Sequence, residues 1–193
     1  MDQQTVNSLI SQSINGNQNS FRKLIEHHQP FVYAVAFRML CNDYETEEIV
    51  QETFIRVWKT LERFDTGMQF RTWLYKIAVN LCYDRIRAVK RLSGNHSIND
   101  YGSLILNYAG SEDPETTLIN KDTALVIRVL TQDLTPKQKV VFTLIELECL
   151  PVEEVAEITG LSHEKIKSNL YCARQNIKKL LSLIEEKEMN HVR

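Results

Sequence analysis

The sequence predicts an all-α protein: two small helical domains joined by a flexible linker. Three observations carry that prediction. Turn-forming residues are scarce, with only 6 Gly and 4 Pro in 193 residues, against roughly 12% Gly plus Pro in average usage. An all-β chain needs a turn after nearly every strand, so helices are the default. Apolar residues recur at helical spacing along most of the chain, and that recurrence stops only once, over Leu92–Asp122.

In the first half, Phe21, Leu24 and Ile25 form one stripe, and Phe31, Val32, Val35, Ala36 and Met39 a second. Ile49, Val50, Phe54, Val57, Trp58 and Leu61 form a third stripe, and Trp73, Leu74, Ile77, Ala78, Leu81 and Ile86 a fourth. Such spacing marks helices burying one face. Breaks are expected at Asn15–Asn19, Gln29–Pro30, Cys41–Tyr44 and Asp65–Gln69, where Gly, Pro, Asn and Asp gather. The result is a bundle of four or five helices over 1–91.

The stretch Leu92–Asp122 carries Ser93-Gly94-Asn95, Tyr101-Gly102-Ser103 and Gly110–Pro114, one short apolar patch at Leu104–Leu106, and net charge −4. A structureless segment of this length does not belong inside a compact domain, so 92–122 reads as an acidic tether. Periodicity resumes over 123–193 in four segments, about 123–133, 136–149, 151–159 and 163–187. Pro136 and Pro151 suit first helical turns. In Thr159-Gly160-Leu161-Ser162, the glycine supplies a positive φ and Ser162 caps the last helix.

Several classes are excluded. Apolar runs such as Phe31–Phe37 fall well short of the roughly 20 residues a membrane span needs, and Met1–Gly16 does not look like a signal peptide. Cys41, Cys82, Cys149 and Cys172 show no metal-ligand spacing and read as packed free thiols of a reducing cytoplasm. An enzyme finds little support. There is no HExxH or P-loop, and Glu188–His191 supplies only one of the two Glu-x-x-His pairs a di-metal bundle requires. No cofactor or metal is expected, and His27-His28 read as lying on a solvated or partner-facing side.

The net charge is −2, from 23 basic and 25 acidic residues, but the charge is segregated. Arg71–Arg91 carries +5, His163–Lys179 carries +4, and Asp43–Asp65 carries −4. Basic clusters are the usual footprint of phosphate binding. The C-terminal cluster lies in a helix-turn-helix pattern, a motif whose second helix enters the DNA major groove. Val155, Ile158, Ile166 and Leu170 are expected inward, leaving Glu164, Lys165, Lys167, Ser168, Asn169 and Tyr171 outward for base edges and phosphates. In the N-terminal cluster Phe64, Phe70, Trp73, Tyr75 and Tyr83 interleave with Arg71, Lys76, Arg85 and Arg87, a pattern suited to single-stranded nucleic acid. Trp73 also shares a core stripe with Ile77.

These residues resemble a known family. Tyr44–Trp58 (YETEEIVQETFIRVW), Phe64-Asp65, Phe70–Asn80 (FRTWLYKIAVN) and Asp84-Arg85 are similar to region 2 of bacterial sigma-70-family sigma factors. Phe142, Glu154-Val155-Ala156, Gly160-Leu161-Ser162, Lys167-Ser168 and Ala173-Arg174 resemble region 4. Possession of these two regions alone resembles the extracytoplasmic-function (ECF) subgroup. The resemblance implies a non-enzymatic cytoplasmic protein that binds core RNA polymerase and promoter DNA.

It further implies that Glu48, Gln51, Glu52 and Ile55 meet the β′ clamp helices, with Val50, Phe54, Val57 and Trp58 in the core. Phe64, Phe70, Arg71, Tyr75, Lys76, Asn80, Asp84, Arg85 and Arg87 would engage the melted −10 element, capturing a flipped base at the loop between Phe64 and Phe70. Ser162, Glu164, Lys165, Lys167, Ser168, Asn169, Tyr171 and Arg174 would read the −35 duplex, with the β flap on the remaining face of region 4. An anti-sigma factor is a common partner in the subgroup. His163-Glu164-Lys165 and Asn169 depart from frequent family residues, so base preference does not transfer. An ordinary helix-turn-helix regulator would account for the basic last helix, but not for the Phe64–Arg87 segment or the acidic face at Glu47–Glu52.

Overall fold

The computed structural model describes residues 1–92 and 125–191, all helix and short connections. The tether expected over 92–122 therefore lies, Leu92 apart, outside the described residues. The N-terminal part, labelled region 2 after the resemblance above, contains α1 (Gln3–Ile14), α2 (Gln18–Leu40), α3 (Asp43–Thr60), a 3₁₀ turn (Leu61–Arg63) and α4 (Phe70–Leu92). Side-chain caps begin the first three helices: Asp2 accepts from the Thr5 amide, Asn17 from Asn19 and Ser20, and Asn42 from Glu45. Asp43 and Glu45 in the first turn of α3 add favourable charge at the positive end of its dipole.

The break expected at Gln29–Pro30 does not occur, because Pro30 lies inside continuous α2. An interior proline forfeits one backbone hydrogen bond and costs about 3 kcal/mol. Packing outweighs it here: Leu24 and His28 before Pro30, and Val32, Val35, Ala36 and Met39 after it, are all buried. Fully burying one aliphatic side chain contributes about 1.5–3 kcal/mol.

The C-terminal part, labelled region 4 after the same resemblance, contains α5 (125–131), α6 (Pro136–Phe142), a π-helical turn (Thr143–Leu147), α7 (Val152–Thr159) and α8 (His163–His191). Thr135 and Gln138 form a capping box with Pro136 in the first turn of α6, as expected. Pro151 instead occupies the N-cap of α7, one position before its first turn. The expected 136–149 helix gives way to the π turn, and the chain then reverses at Cys149 with φ 54°. Gly160 ends α7 at φ 69°, and the Ser162 hydroxyl accepts from the Lys165 amide at 3.4 Å.

The two regions do not stand apart. α4 packs on α2 and α3 within region 2 and on α6 and α7 of region 4. One hydrophobic core runs from Val6 and Leu9 through Leu74 and Ala78 to Val140, Leu144, Val155, Ile158 and Ile166. A smaller cluster of Leu134, Ala173 and Ile177 ties α5 and α6 to α8.

The cysteine expectation holds only in part. Cys82 is buried, and burial pushes its thiol up to about 12. Cys41 is half-buried, whereas Cys149 and Cys172 are exposed. His28 also departs from expectation: it is buried, edge-on to Phe70 at 5.2 Å.

Candidate polymerase and nucleic-acid interfaces

The acidic face of α3 lies opposite its buried stripe. Ile49, Val50, Thr53, Phe54 and Val57 point into the core, leaving Gln51 and Ile55 exposed and Glu48 and Glu52 half-buried on the outer side. Glu52 pairs with Arg56 one turn on, at 2.8 Å. Trp58 corrects the expected core stripe. It is 44% exposed, resting on Phe21 with ring centroids 4.7 Å apart, because position 58 is turned about 100° around the helix from the fully buried Val57. The outer face of α3 is therefore acidic at one end and apolar at the other.

The loop between Phe64 and Phe70 is held from below. Phe64, Phe70 and Trp73 pack against one another with centroids 5.1–5.7 Å apart, and His28 closes the cluster. Asp65 closes the loop as an Asx turn, accepting from the Gly67 amide at 2.9 Å. Burial pushes the His28 imidazole down to about 4, with His27, the amino terminus and Arg71 adding charge repulsion. Its Nε2 is enclosed without a hydrogen-bond partner.

Three residues expected to meet bases are not presented to solvent. Phe64 is buried, and Phe70 and Tyr75 are each only 1% exposed. The same ring spacing that suits base stacking also suits a helix burying one face, and in this conformation packing takes the rings. Arg71, Lys76, Asn80, Asp84 and Arg87 are exposed along α4. Arg71 lies over the Phe31 ring at 4.0 Å, and Arg87 over Tyr83 at 5.5 Å. Arg85 is half-buried and binds Glu45 at 2.5 Å and Glu48 at 3.0 Å, joining the −10 candidate face to the polymerase candidate face.

The helix-turn-helix takes the expected form. Val155, Ile158 and Ile166 are buried and Leu170 packs on the core. Glu164, Lys165, Lys167 and Ser168 are exposed in the first turns of α8 beside exposed Ser162, and Tyr171 stands 64% exposed. Asn169 donates to the Lys165 carbonyl at 2.7 Å, while Arg174 is clasped by Glu146 at 2.5 and 3.0 Å. Among the described residues no group of three or more His, Cys, Asp or Glu could hold a metal ion. No helix among them is long and apolar enough to cross a membrane.

Comparison with known proteins matches this architecture in order. The family model for Sigma-70 region 2 matches residues 24–92, and that for Sigma-70, region 4, matches 124–177. The chain belongs to the sigma-70 family. It is of the ECF type: it is 29% identical to the ECF RNA polymerase sigma factor SigW of Bacillus subtilis, over 89% of this chain and 94% of SigW. It is also 27% identical to the ECF RNA polymerase sigma-E factor of Haemophilus influenzae, over 91% of this chain and 95% of that one. The fold is similar to CnrH solved in complex with the cytosolic domain of CnrY. The TM-score is 0.63 and identity 23%, covering 93% of this chain and 98% of CnrH. It also resembles the sigma factor RpoE of Bartonella quintana, solved with the anti-sigma factor NepR. There the TM-score is 0.59 and identity 22%, covering 84% and 96% of the two chains.

Sequence reasoning missed the polar contacts between the two regions of this sigma factor. Glu148 accepts from Arg38 and from the Tyr75 hydroxyl, the latter at 3.1 Å, and Thr72 donates to Glu154 at 3.3 Å. These partners lie 73 to 110 positions apart, beyond the reach of periodicity. Glu148 shares the run Val140–Leu150 with a second carboxylate, Glu146, so nothing local singled it out.

Proposed function

We propose that this ECF-type sigma factor binds core RNA polymerase and directs promoter-specific transcription initiation, without catalysing a reaction itself. Region 4 reads the −35 duplex with the outer face of α8, and region 2 engages the melted non-template strand of the −10 element. The observation that carries this reading is the order of the two family regions, joined to a helix-turn-helix whose outward residues are polar and exposed. Lys165 and Lys167 reach phosphate or guanine; Glu164, Ser168 and Tyr171 stand beside them, and Ser162 sits at the helix start.

In region 2 the buried Phe64 and Phe70 support the loop 65–69, whose rim takes the flipped base. Arg71, Lys76 and Arg87 hold phosphates, while Asn80 and Asp84 lie along the same track. Tyr75 joins that surface once uncovered, and Arg85 braces α4 against α3. Glu48, Gln51, Glu52 and Ile55 meet the β′ clamp helices, and the β flap takes a free face of region 4. The domain limits are 1–91, 92–122 and 123–193. The protein acts in the cytoplasm, where polymerase and promoter are, and an anti-sigma factor is a fitting partner, as for the Bartonella quintana protein.

The test is promoter binding with and without core polymerase. Tight duplex binding should require core enzyme. A helix-turn-helix regulator would bind its operator alone with equal strength, and that result would overturn the reading.

A further inference from the structure

The seam between regions 2 and 4 has three features that belong together. The first is a buried carboxylate. The Glu148 side chain is 8% exposed and accepts from Arg38 of α2 and Tyr75 of α4. The π turn aims it there: the Glu148 amide bonds to the Thr143 carbonyl five residues back at 2.9 Å. One extra residue in a helical turn rotates everything after it by about 100°, so a regular α-turn would point position 148 elsewhere.

The second feature is imperfect packing. A cleft of 280 Å³ opens along the seam between Val79, Asn80 and Tyr83 of α4 and Lys137, Val140 and Leu161 of region 4. Beside the shared core the seam thus keeps an open cleft, as interfaces between domains of one chain do. The third is what the seam hides. It ties up Thr72 and Tyr75 of α4, which donate to Glu154 and Glu148, on the helix whose exposed residues carry the basic −10 track, while leaving the outer face of α8 open.

We propose that Glu148 is the latch of a self-masking closed state. It holds region 4 over α4 in the free chain and must release for region 2 to engage polymerase-bound, melted DNA. This rests on the sigma-factor reading above. A buried carboxylate stripped of its cation is strongly unfavourable, so the latch is bistable: fully paired when closed, hydrated when open. Arg38 and Tyr75 are its two donors, and Tyr75 becomes available to DNA only on opening.

The test uses the full chain. Small-angle scattering of the wild type should give a radius of gyration near that of a compact body, about 16 Å for this length. E148A, with helix content checked by circular dichroism, should increase it by roughly a fifth, as expected of two bodies on a tether. Its association rate with core RNA polymerase should rise at least about threefold, as a conformational step before binding is removed. R38A, at a more exposed position, should reproduce part of both changes, and the double variant should add little to E148A, because paired groups act as a unit. An extended wild type would overturn the latch. So would E148A and R38A matching wild type in both measurements. Should E148A lose its helices, R38A decides alone. A chain that never binds core polymerase would undo the sigma-factor reading, while scattering would still decide the latch.

Discussion

The two surfaces proposed to meet DNA are built on opposite plans. In region 4 the apolar residues Ile166 and Ala173 turn inward and the polar residues Glu164, Lys165, Lys167 and Ser168 turn outward on one helix. In region 2 the aromatic residues Phe64, Phe70 and Tyr75 are core, while Arg71, Lys76, Asn80, Asp84 and Arg87 of α4 remain at the surface. Polar residues on an amphipathic helix have one place to go. Aromatic rings have two, since a face that stacks on a base packs equally well on a neighbouring ring. A polar outer face is therefore placed at the surface by its spacing alone, whereas a ring-and-cation pattern is not.

The comparison breaks first at Phe70. F70A should cost about 3–5 kcal/mol of stability by urea unfolding. Y171A, at the exposed position in region 4, should stay within about 0.5 kcal/mol of wild type. Equal effects would mean that region 2 does not bury its rings.

His28 carries the same cluster into a pH dependence. Its folded value is depressed from 6.5 to about 4. Between these values the unfolded chain therefore binds a proton that the folded chain does not. Stability should be fully present above pH 6.5 and fall progressively as pH drops toward 4. H28L should flatten the dependence of the urea midpoint over that window, and an unchanged slope would place its origin elsewhere.

The region 4 side sharpens at Lys167. K167A should weaken DNA binding similarly across sequences and reduce the salt slope by about 1, the signature of one lost phosphate contact. A change of preference at a single base would instead make Lys167 a base reader. Smallest is the paired Q51A/E52A variant on α3. It should weaken core binding by about 1 kcal/mol while leaving the unfolding midpoint nearly unchanged, because Glu52 pairs only with the exposed Arg56. Unaltered core affinity would move that interface along α3 toward Ile55 and Trp58.

The legible parts of the molecule were those governed by local rules. Thr135–Pro136 and Gly160–Ser162 act where their chemistry dictates, and the inward set of the helix-turn-helix follows from its spacing. Pro30 was misleading because local breaking power yields to a helix buried on both sides of it. Trp58 was misleading because it is adjacent to the stripe yet one position around the helix from its centre. His28 was assigned by its polarity, when its ring is the lid of an aromatic cluster. Glu148 was invisible for a different reason: its partners come from another region, and nothing in a window around it hints at Arg38 or Tyr75.

The central claim is that this chain confers promoter choice on polymerase. Run-off transcription with purified core enzyme and genomic promoter fragments tests it directly. The account predicts discrete transcripts that need this protein and start downstream of shared −35 and −10 elements. Start sites indistinguishable from those of core enzyme alone would contradict it.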